Sequence, residues 1–165
     1  MNTQRLATNI KTFAGWLLVT FVAAALGAWA SQDAPAFYAQ LDKPSWAPPA
    51  GVFGPAWTAL YLMMALAAWL VWRVRGFRTA PRTLGLYLVQ LAANALWSWL
   101  FFGWHLGAAA FVEVLVLWAL IAATIAAFWK VKKFAALLLV PYLAWVTFAS
   151  ALTYACWTRN PGMLG

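Results

Sequence analysis

The sequence predicts an all-α integral membrane protein, a bundle of five transmembrane helices, on the basis of its composition and its pattern of apolar runs. Hydrophobic residues make up 66% of the 165 residues, charged residues only 8%, and the mean hydropathy is +0.78. Such a chain carries too little polar surface to cover a water-soluble globule. Apolar runs long enough to span a bilayer fill most of the chain, so we expect one membrane domain over residues 1–165.

The five runs are joined by short connections, with one exception. The runs cover residues 13–30, 52–72, 84–103, 108–129 and 134–157. The connections at 73–82, 103–107 and 130–133 are short, so neighbouring helices should be antiparallel and adjacent. The first connection, residues 31–51, is long and contains Pro35, Pro44, Pro48 and Pro49. These prolines exclude a spanning helix, and long loops in compact folds are often functional.

Positive charge is distributed unequally between the two sides of this topology. Nine of the 11 Lys and Arg residues lie on the N-terminal side: Arg5, Lys11, Arg73, Arg75, Arg78, Arg82, Lys130, Lys132 and Lys133. Only Lys43 and Arg159 lie on the other side. Because short cytoplasmic loops collect positive charge, we predict a bacterial inner (plasma) membrane protein with a cytoplasmic N-terminus. A C-terminal reporter fusion should be active outside the cytoplasm, and activity only in the cytoplasm would contradict this orientation.

The net charge of +8 is therefore explained by topology, and we expect no nucleic-acid partner. An alternative interpretation of the first run is a cleavable signal peptide, because Arg5 and Lys11 precede it and Ala28-Trp29-Ala30 resembles a cleavage site. The run is long for a signal peptide, and Trp29 suits an interfacial anchor. We expect the first span to be retained.

Most of the 13 tryptophans lie near predicted helix ends, where an indole suits the membrane surface. Five do not fit this pattern: Trp46, Trp57, Trp97, Trp118 and Trp145. Helical spacing places three of these on faces shared with other side chains, namely Trp57 with Tyr61, Trp97 with Asn94, and Trp145 with Ala149. Polar groups on these faces should point into the bundle. Spacing leaves open whether the faces serve interhelix packing or a ligand pocket, and it offers no reason for Trp118.

Few other side chains point to chemistry. Glu113 stands inside the fourth run, where a carboxylate is costly, so it serves either to cap a helix N-terminus or a function. With one cysteine, Cys156, and one histidine, His105, we expect no metal site. The sequence has no phosphate-binding loop, paired carboxylates or nucleophile elbow. Any catalysis would have to use aromatic or redox-active groups.

Several motifs resemble those of one known family. Residues 43–49 read KPSWAPP, and the start of the second run follows with Val52-Phe53, Trp57 and Leu60-Tyr61. The third run carries Gln90, Asn94, Trp97-Ser98 and Phe101-Phe102, and the fifth carries Pro141-Tyr142, Trp145 and Phe148-Ala149. In order and spacing these motifs resemble the tryptophan-rich sensory protein and translocator protein family, also called TspO/MBR. The resemblance extends from the first loop to the last helix.

The resemblance implies a five-helix bundle, commonly a homodimer, with a pocket under the first loop for porphyrins, haem, sterols and synthetic aromatic ligands. The pocket positions that match the family are Trp57, Tyr61, Asn94, Trp97, Ser98, Trp145 and Ala149, and the lid positions are Tyr38, Trp46, Pro48 and Pro49. Trp57 and Trp145 match two tryptophans implicated in light-dependent porphyrin breakdown in some bacterial members. A sterol-recognition pattern is found as Leu152, Tyr154 and Arg159.

From this resemblance we expect a membrane receptor or sensor for protoporphyrin IX, haem and sterols, linked to tetrapyrrole homeostasis or stress. No cofactor is required for such binding. We expect no axial iron ligand, because His105 stands alone in a short connection. The alternatives are a transporter of the same ligands, although the sequence shows no inverted repeat, and a light-dependent enzyme that degrades porphyrin with Trp57 and Trp145 as catalytic residues.

Overall fold

A computed structural model describes residues 3–165, in which five helices are long and apolar enough to cross a membrane and no β-strand occurs. The α-helices are α1 (Thr3–Ala30), α2 (Ala34–Gln40), α3 (Phe53–Thr79), α4 (Pro81–Ser98), α5 (Gly107–Trp129), α6 (Lys133–Leu137), α7 (Val140–Arg159) and α8 (Pro161–Leu164). A 3-10 turn (Ala50–Val52) precedes α3, and a π-helical turn (Trp99–Gly103) continues α4. The predicted all-α bundle of five spans is confirmed. The side chain of Arg5, counted above as a cation, lies outside the described residues.

The connection predicted at residues 73–82 is even shorter than expected, because most of that range is helical. Helix α3 continues to Thr79, and only Ala80 separates it from α4. Arginine is a good helix former and water satisfies its side chain, so α3 continues beyond its apolar run. The corner depends on Gly76, whose φ of 66° breaks the helical path, and on Pro81, which suits the first turn of α4. Helix α1 likewise begins well before residue 13.

The fifth span is divided into α6 and α7 by a break at Leu138 and Leu139. The cause lies in Pro141, which has no backbone N–H to donate to the Leu137 carbonyl and whose ring crowds that carbonyl. The N–H of Leu139 instead donates to the Ala136 carbonyl at 3.0 Å, as in a tighter turn.

The spanning helices form a closed arrangement in which α1 packs on α3 and α4, α4 on α5, and α5 on α7. The hydroxyls of Thr20 and Tyr87 hydrogen-bond at 2.7 Å between α1 and α4, so the first run is an integral wall of the bundle. At the start of α5, a glycine lets the helix backbone pack closely against Trp157 and Leu164. A Cβ on Gly107 would lie 2.5 Å from Cδ1 of Trp157 and 2.7 Å from the Leu164 carbonyl oxygen.

Candidate ligand pocket

A cavity of about 570 Å³ lies among α1, α3, α4 and α7, beneath α2 and the loop that follows it. Its volume falls within the roughly 300–1,000 Å³ range of small-molecule sites. The lining is mainly apolar and aromatic, with a few polar groups. The lining residues are Phe21, Ala24, Gly27, Ala28, Ser31, Ala34, Pro35, Tyr38, Ala50, Gly51, Phe53, Gly54, Trp57, Thr58, Tyr61, Asn94, Trp97, Ser98, Phe101, Phe102, Trp145, Ala149, Leu152, Thr153 and Cys156.

One wall of the cavity is built by aromatic side chains of α3 and α7. The rings of Trp57 and Trp145 meet edge to face, with centroids 6.4 Å apart and planes at 81°. Tyr61 lies 5.5 Å from Trp57, one helical turn along α3, and Phe53 contacts Trp145 edge-on at 6.0 Å. Edge-to-face contacts of this kind hold the rings in fixed orientations. The wall therefore presents preformed flat surfaces to the cavity.

The opposite wall depends on the π-helical turn at the end of α4. The wider turn is closed by the N–H of Trp104, which donates to the Trp99 carbonyl at 2.7 Å. Next to it, Phe101 stacks on Trp97 with centroids 5.4 Å apart and planes at 9°, and Phe102 meets Trp97 edge-on. π-helical turns often occur at functional sites. The indole N–H of Trp97 is buried and has no hydrogen-bond partner within the described residues.

A chain of hydrogen bonds crosses the bundle at the end of the cavity farther from α2. The Tyr61 hydroxyl donates to Oδ1 of Asn94 at 2.5 Å, and Nδ2 of Asn94 donates to the Tyr142 hydroxyl at 2.9 Å. Tyr142 in turn donates to Oε1 of Gln90 at 3.0 Å. This chain joins α3, α4 and α7. Asn94 thus lines the cavity, but both ends of its amide are already engaged in holding the helices together.

The lid over the cavity consists of α2 and residues 41–52. Tyr38 is buried, donates to the Pro48 carbonyl at 3.0 Å, and packs edge-on against Phe53. Burial raises the pKa of Tyr38 to about 12, so its hydroxyl remains a donor. The Lys43 ammonium donates to the carbonyls of Tyr38 at 2.6 Å and Leu41 at 2.8 Å and lies 4.9 Å from the Tyr38 ring. These contacts give the lid an ordered internal structure.

The lid is attached at the end of α7 mainly through the side chain of Asn160. Oδ1 of Asn160 accepts from the Asp42 backbone N–H at 2.8 Å, and its Nδ2 donates to the Asp42 carbonyl at 2.9 Å and to the Cys156 carbonyl at 2.7 Å. Arg159 forms an exposed ion pair with Asp42 at 3.7 Å. An exposed pair of this kind contributes little to stability. The buried amide is the main anchor of the lid.

Nine of the predicted binding and sterol-motif residues line the cavity: Tyr38, Trp57, Tyr61, Asn94, Trp97, Ser98, Trp145, Ala149 and Leu152. Trp46, Pro48 and Pro49 belong to the lid and are outside the set that lines the cavity. The ring of Trp46 rests on Phe148 at 5.8 Å and is 50% exposed.

The three residues of the sterol pattern do not converge. Leu152 is buried at the cavity, while Tyr154 is 50% exposed and Arg159 pairs with Asp42. Side chains two positions apart on a helix point to nearly opposite sides, and this spacing separates Leu152 from Tyr154.

The α1 wall of the cavity is absent from the predicted site. Its lining residues are Phe21, Ala24, Gly27 and Ala28 of α1, followed by Ser31 just after the helix. They recur at helical spacing in the sequence, but that spacing alone does not distinguish a pocket wall from a packing face. Gly27 has a packing reason as well, because a Cβ there would lie 3.1 Å from Oγ of Ser98.

Glu113 lies well inside α5, which begins at Gly107, so it is too far along the helix to cap the N-terminus. It is buried, and both carboxylate oxygens lack a hydrogen-bond partner among the described residues.

Trp118 has a structural role, since its indole N–H donates to Oγ1 of Thr147 at 2.8 Å and joins α5 to α7. His105 stacks on Phe37 at 4.2 Å, outside the cavity lining. No three metal-binding side chains come together within residues 3–165.

Comparison with known proteins identifies relatives over nearly the whole chain. The TspO/MBR family model matches residues 5–158. The chain is 38% identical to protein CrtK of Rhodobacter capsulatus over 158 residues, which cover 93% of this chain and 96% of the relative. It is 44% identical to the Homo sapiens translocator protein over 131 residues, 78% of each chain. It is 40% identical to the tryptophan-rich sensory protein of Cereibacter sphaeroides over 149 residues, 88% of this chain and 92% of the relative.

The hydrogen-bonded chain predicts a structural effect at a residue outside the cavity lining. Tyr142→Phe removes one hydroxyl and leaves buried polar atoms of Asn94 and Gln90 without partners, which costs about 1–3 kcal/mol. We expect a lower thermal unfolding midpoint in detergent. Tyr154→Phe is the matched control, because Tyr154 is exposed and its hydroxyl has no hydrogen bond among the described residues. Equal midpoints for the two variants would contradict the role of the chain.

Proposed function

This chain belongs to the TspO/MBR family of integral membrane proteins, and from that premise we propose that it is a receptor or sensor for flat hydrophobic ligands, protoporphyrin IX or haem first and sterols second. The observation that carries the proposal is the cavity beneath the lid, in which Trp57 and Trp145 form one aromatic wall and Trp97 with Phe101 the other. A planar macrocycle buries most area between rigid aromatic faces.

The polar groups of the cavity are suited to orienting such a ligand. Ser31, Thr58, Ser98 and Thr153 contribute hydroxyls to a mainly apolar lining. The Trp97 indole N–H is buried beside the cavity and has no acceptor within residues 3–165, so a small rotation of the ring would let it donate to a carboxylate or carbonyl of the ligand. Such a hydrogen bond would remove the free-energy cost of burying a donor that has no acceptor. The Lys43 ammonium, at the edge of the lid, adds positive charge for acidic propionates.

The lid favours binding because little of it must become ordered when a ligand enters. Tyr38, Lys43 and Asn160 already fix its backbone through hydrogen bonds, and its prolines restrict the remaining freedom. A preorganised site loses less entropy on binding than a flexible loop. This is the behaviour expected of a receptor pocket.

Binding should depend on the two wall tryptophans. In detergent, titration of protoporphyrin IX followed by its own absorbance should give dissociation constants about twofold to tenfold higher for Trp57→Ala and Trp145→Ala, because each loses an aromatic contact. Trp118→Ala is the control, because Trp118 lies outside the cavity. Unchanged affinity in both wall variants, or an equal loss in the control, would contradict the assignment.

A second candidate activity, light-dependent porphyrin breakdown, is favoured by one observation. Trp57 and Trp145 both line the cavity and contact one another, with centroids 6.4 Å apart. A light-excited porphyrin held against this wall would be close enough to take an electron from an indole, with dioxygen as the terminal oxidant. The chain would then act as an enzyme whose reactive groups are side chains of the pocket.

Trp57→Phe and Trp145→Phe keep a ring in place but are harder to oxidise, so they separate this chemistry from binding. Under illumination in air, the native chain should convert protoporphyrin IX to a bilin-like product, and each variant should bleach it much more slowly at equal porphyrin occupancy. The absorbance of the product over time is the measurement. Equal bleaching in protein-free detergent would rule the activity out.

A further inference from the structure

A second cavity lies at the end of the bundle opposite the lid. It has a volume of about 370 Å³ and sits between the α3–α4 corner and the connection that follows α5. The lining residues are Arg75, Thr79, Ala80, Pro81, Arg82, Thr83, Lys130 and Val131. Three of these are cations, and they come from two connections that are far apart in the sequence. Nothing in the function proposed above uses this cavity.

The three cations of the cavity have no counter-charge in this part of the protein. The chain contains only three acidic residues, Asp33, Asp42 and Glu113. Asp33 and Asp42 flank the lid helix, and Glu113 is buried in the half of α5 that is nearer the lid. Arg75, Arg82 and Lys130 therefore repel one another with no carboxylate nearby, and an anion from outside the protein would relieve that repulsion.

The backbone of the corner places both donors and acceptors near the cavity, because α3 and α5 end here and α4 begins here. The φ of 66° at Gly76 redirects the chain so that Arg75, at the end of α3, and Arg82, at the start of α4, face one cavity. Helix α4 begins with no side-chain cap, so its first N–H groups and the positive end of its dipole are directed towards this corner. The Thr79 hydroxyl is already used, donating to the Arg75 carbonyl. The hydroxyl of Thr83 also lines the cavity.

The surroundings of the cavity favour a lipid as the source of the anion. Val74, Phe77 and Phe134 are exposed next to the cationic connections in the sequence. The Lys133 ammonium lies 5.6 Å from the ring of Trp129, an arrangement suited to a membrane surface. A guanidinium binds a phosphate through two parallel hydrogen bonds, and basic pockets at the ends of spanning helices bind anionic headgroups.

We propose that this cavity binds the phosphate group of an anionic phospholipid, with Arg75, Arg82 and Lys130 as its ligands and the acyl chains lying along the neighbouring exposed apolar side chains. Free inorganic phosphate offers the same chemistry without the chains. A lipid is favoured because the site lies at the end of the spanning helices, where headgroups are concentrated.

The experiment compares two triple variants of the full chain purified in detergent. Arg75→Ala/Arg82→Ala/Lys130→Ala removes the cavity cations, whereas Arg78→Ala/Lys132→Ala/Lys133→Ala removes the same charge from the same two connections outside the cavity lining. Native mass spectrometry measures retained phosphatidylglycerol and phosphatidylcholine. We expect the native chain and the outer variant to retain phosphatidylglycerol, and the cavity variant to bind it about tenfold or more weakly, because only the cavity variant loses direct charged hydrogen bonds to the phosphate.

Three results would overturn the proposal. Equal losses in the two triple variants would show that general charge attraction holds the lipid. Equal retention of phosphatidylglycerol and phosphatidylcholine by the native chain would show that no anionic headgroup is selected. Displacement of phosphatidylglycerol by millimolar inorganic phosphate, with saturable phosphate binding by the native chain alone, would identify a free anion as the occupant. Matching circular dichroism spectra would establish that both variants are folded.

Discussion

The hydrogen-bonded chain from Tyr61 through Asn94 and Tyr142 to Gln90 is the interaction on which the pocket depends. Within hydrocarbon a hydroxyl or amide has no water to bind, so a hydrogen-bond partner on a neighbouring helix is strongly favoured. Satisfying them sets the rotation of α3, α4 and α7 about their axes. That rotation in turn directs the neighbouring aromatic faces of α3, α4 and α7 into one cavity. The polar network and the aromatic pocket are therefore consequences of the same helix arrangement.

The two ends of the bundle are built differently. At the lid end, Asn160 holds the loop backbone through its amide, and Tyr38 is buried beneath it, so apolar and neutral polar contacts close the cavity. At the opposite end, Arg75, Arg82 and Lys130 face a cavity with no carboxylate to pair with. The lid end is therefore an aromatic cavity and the opposite end a cationic one, separated by the length of the spanning helices.

Local departures from regular helix shape both ends. The π-helical turn after Ser98 places Phe101 and Phe102 against Trp97 in the large cavity. The positive φ at Gly76 turns the chain between α3 and α4 and creates the cationic corner. Each departure costs some helix stability, which neighbouring contacts must offset. Both occur beside a cavity.

The sequence by itself determined the five spans and the side of the bundle on which positive charge gathers. In a bilayer, apolar runs of this length satisfy the hydrogen bonds of their backbone by forming helices. It also indicated Trp57, Trp97 and Trp145 as inward-facing, because period 3.6 relates residues on one helix. Only the tertiary structure decided that Phe21 of α1 lines the cavity while Trp46 of the lid does not. Sequence periodicity shows which side of its own helix a side chain lies on. The packing of the neighbouring helices decides whether that side faces a cavity, another helix or the surface.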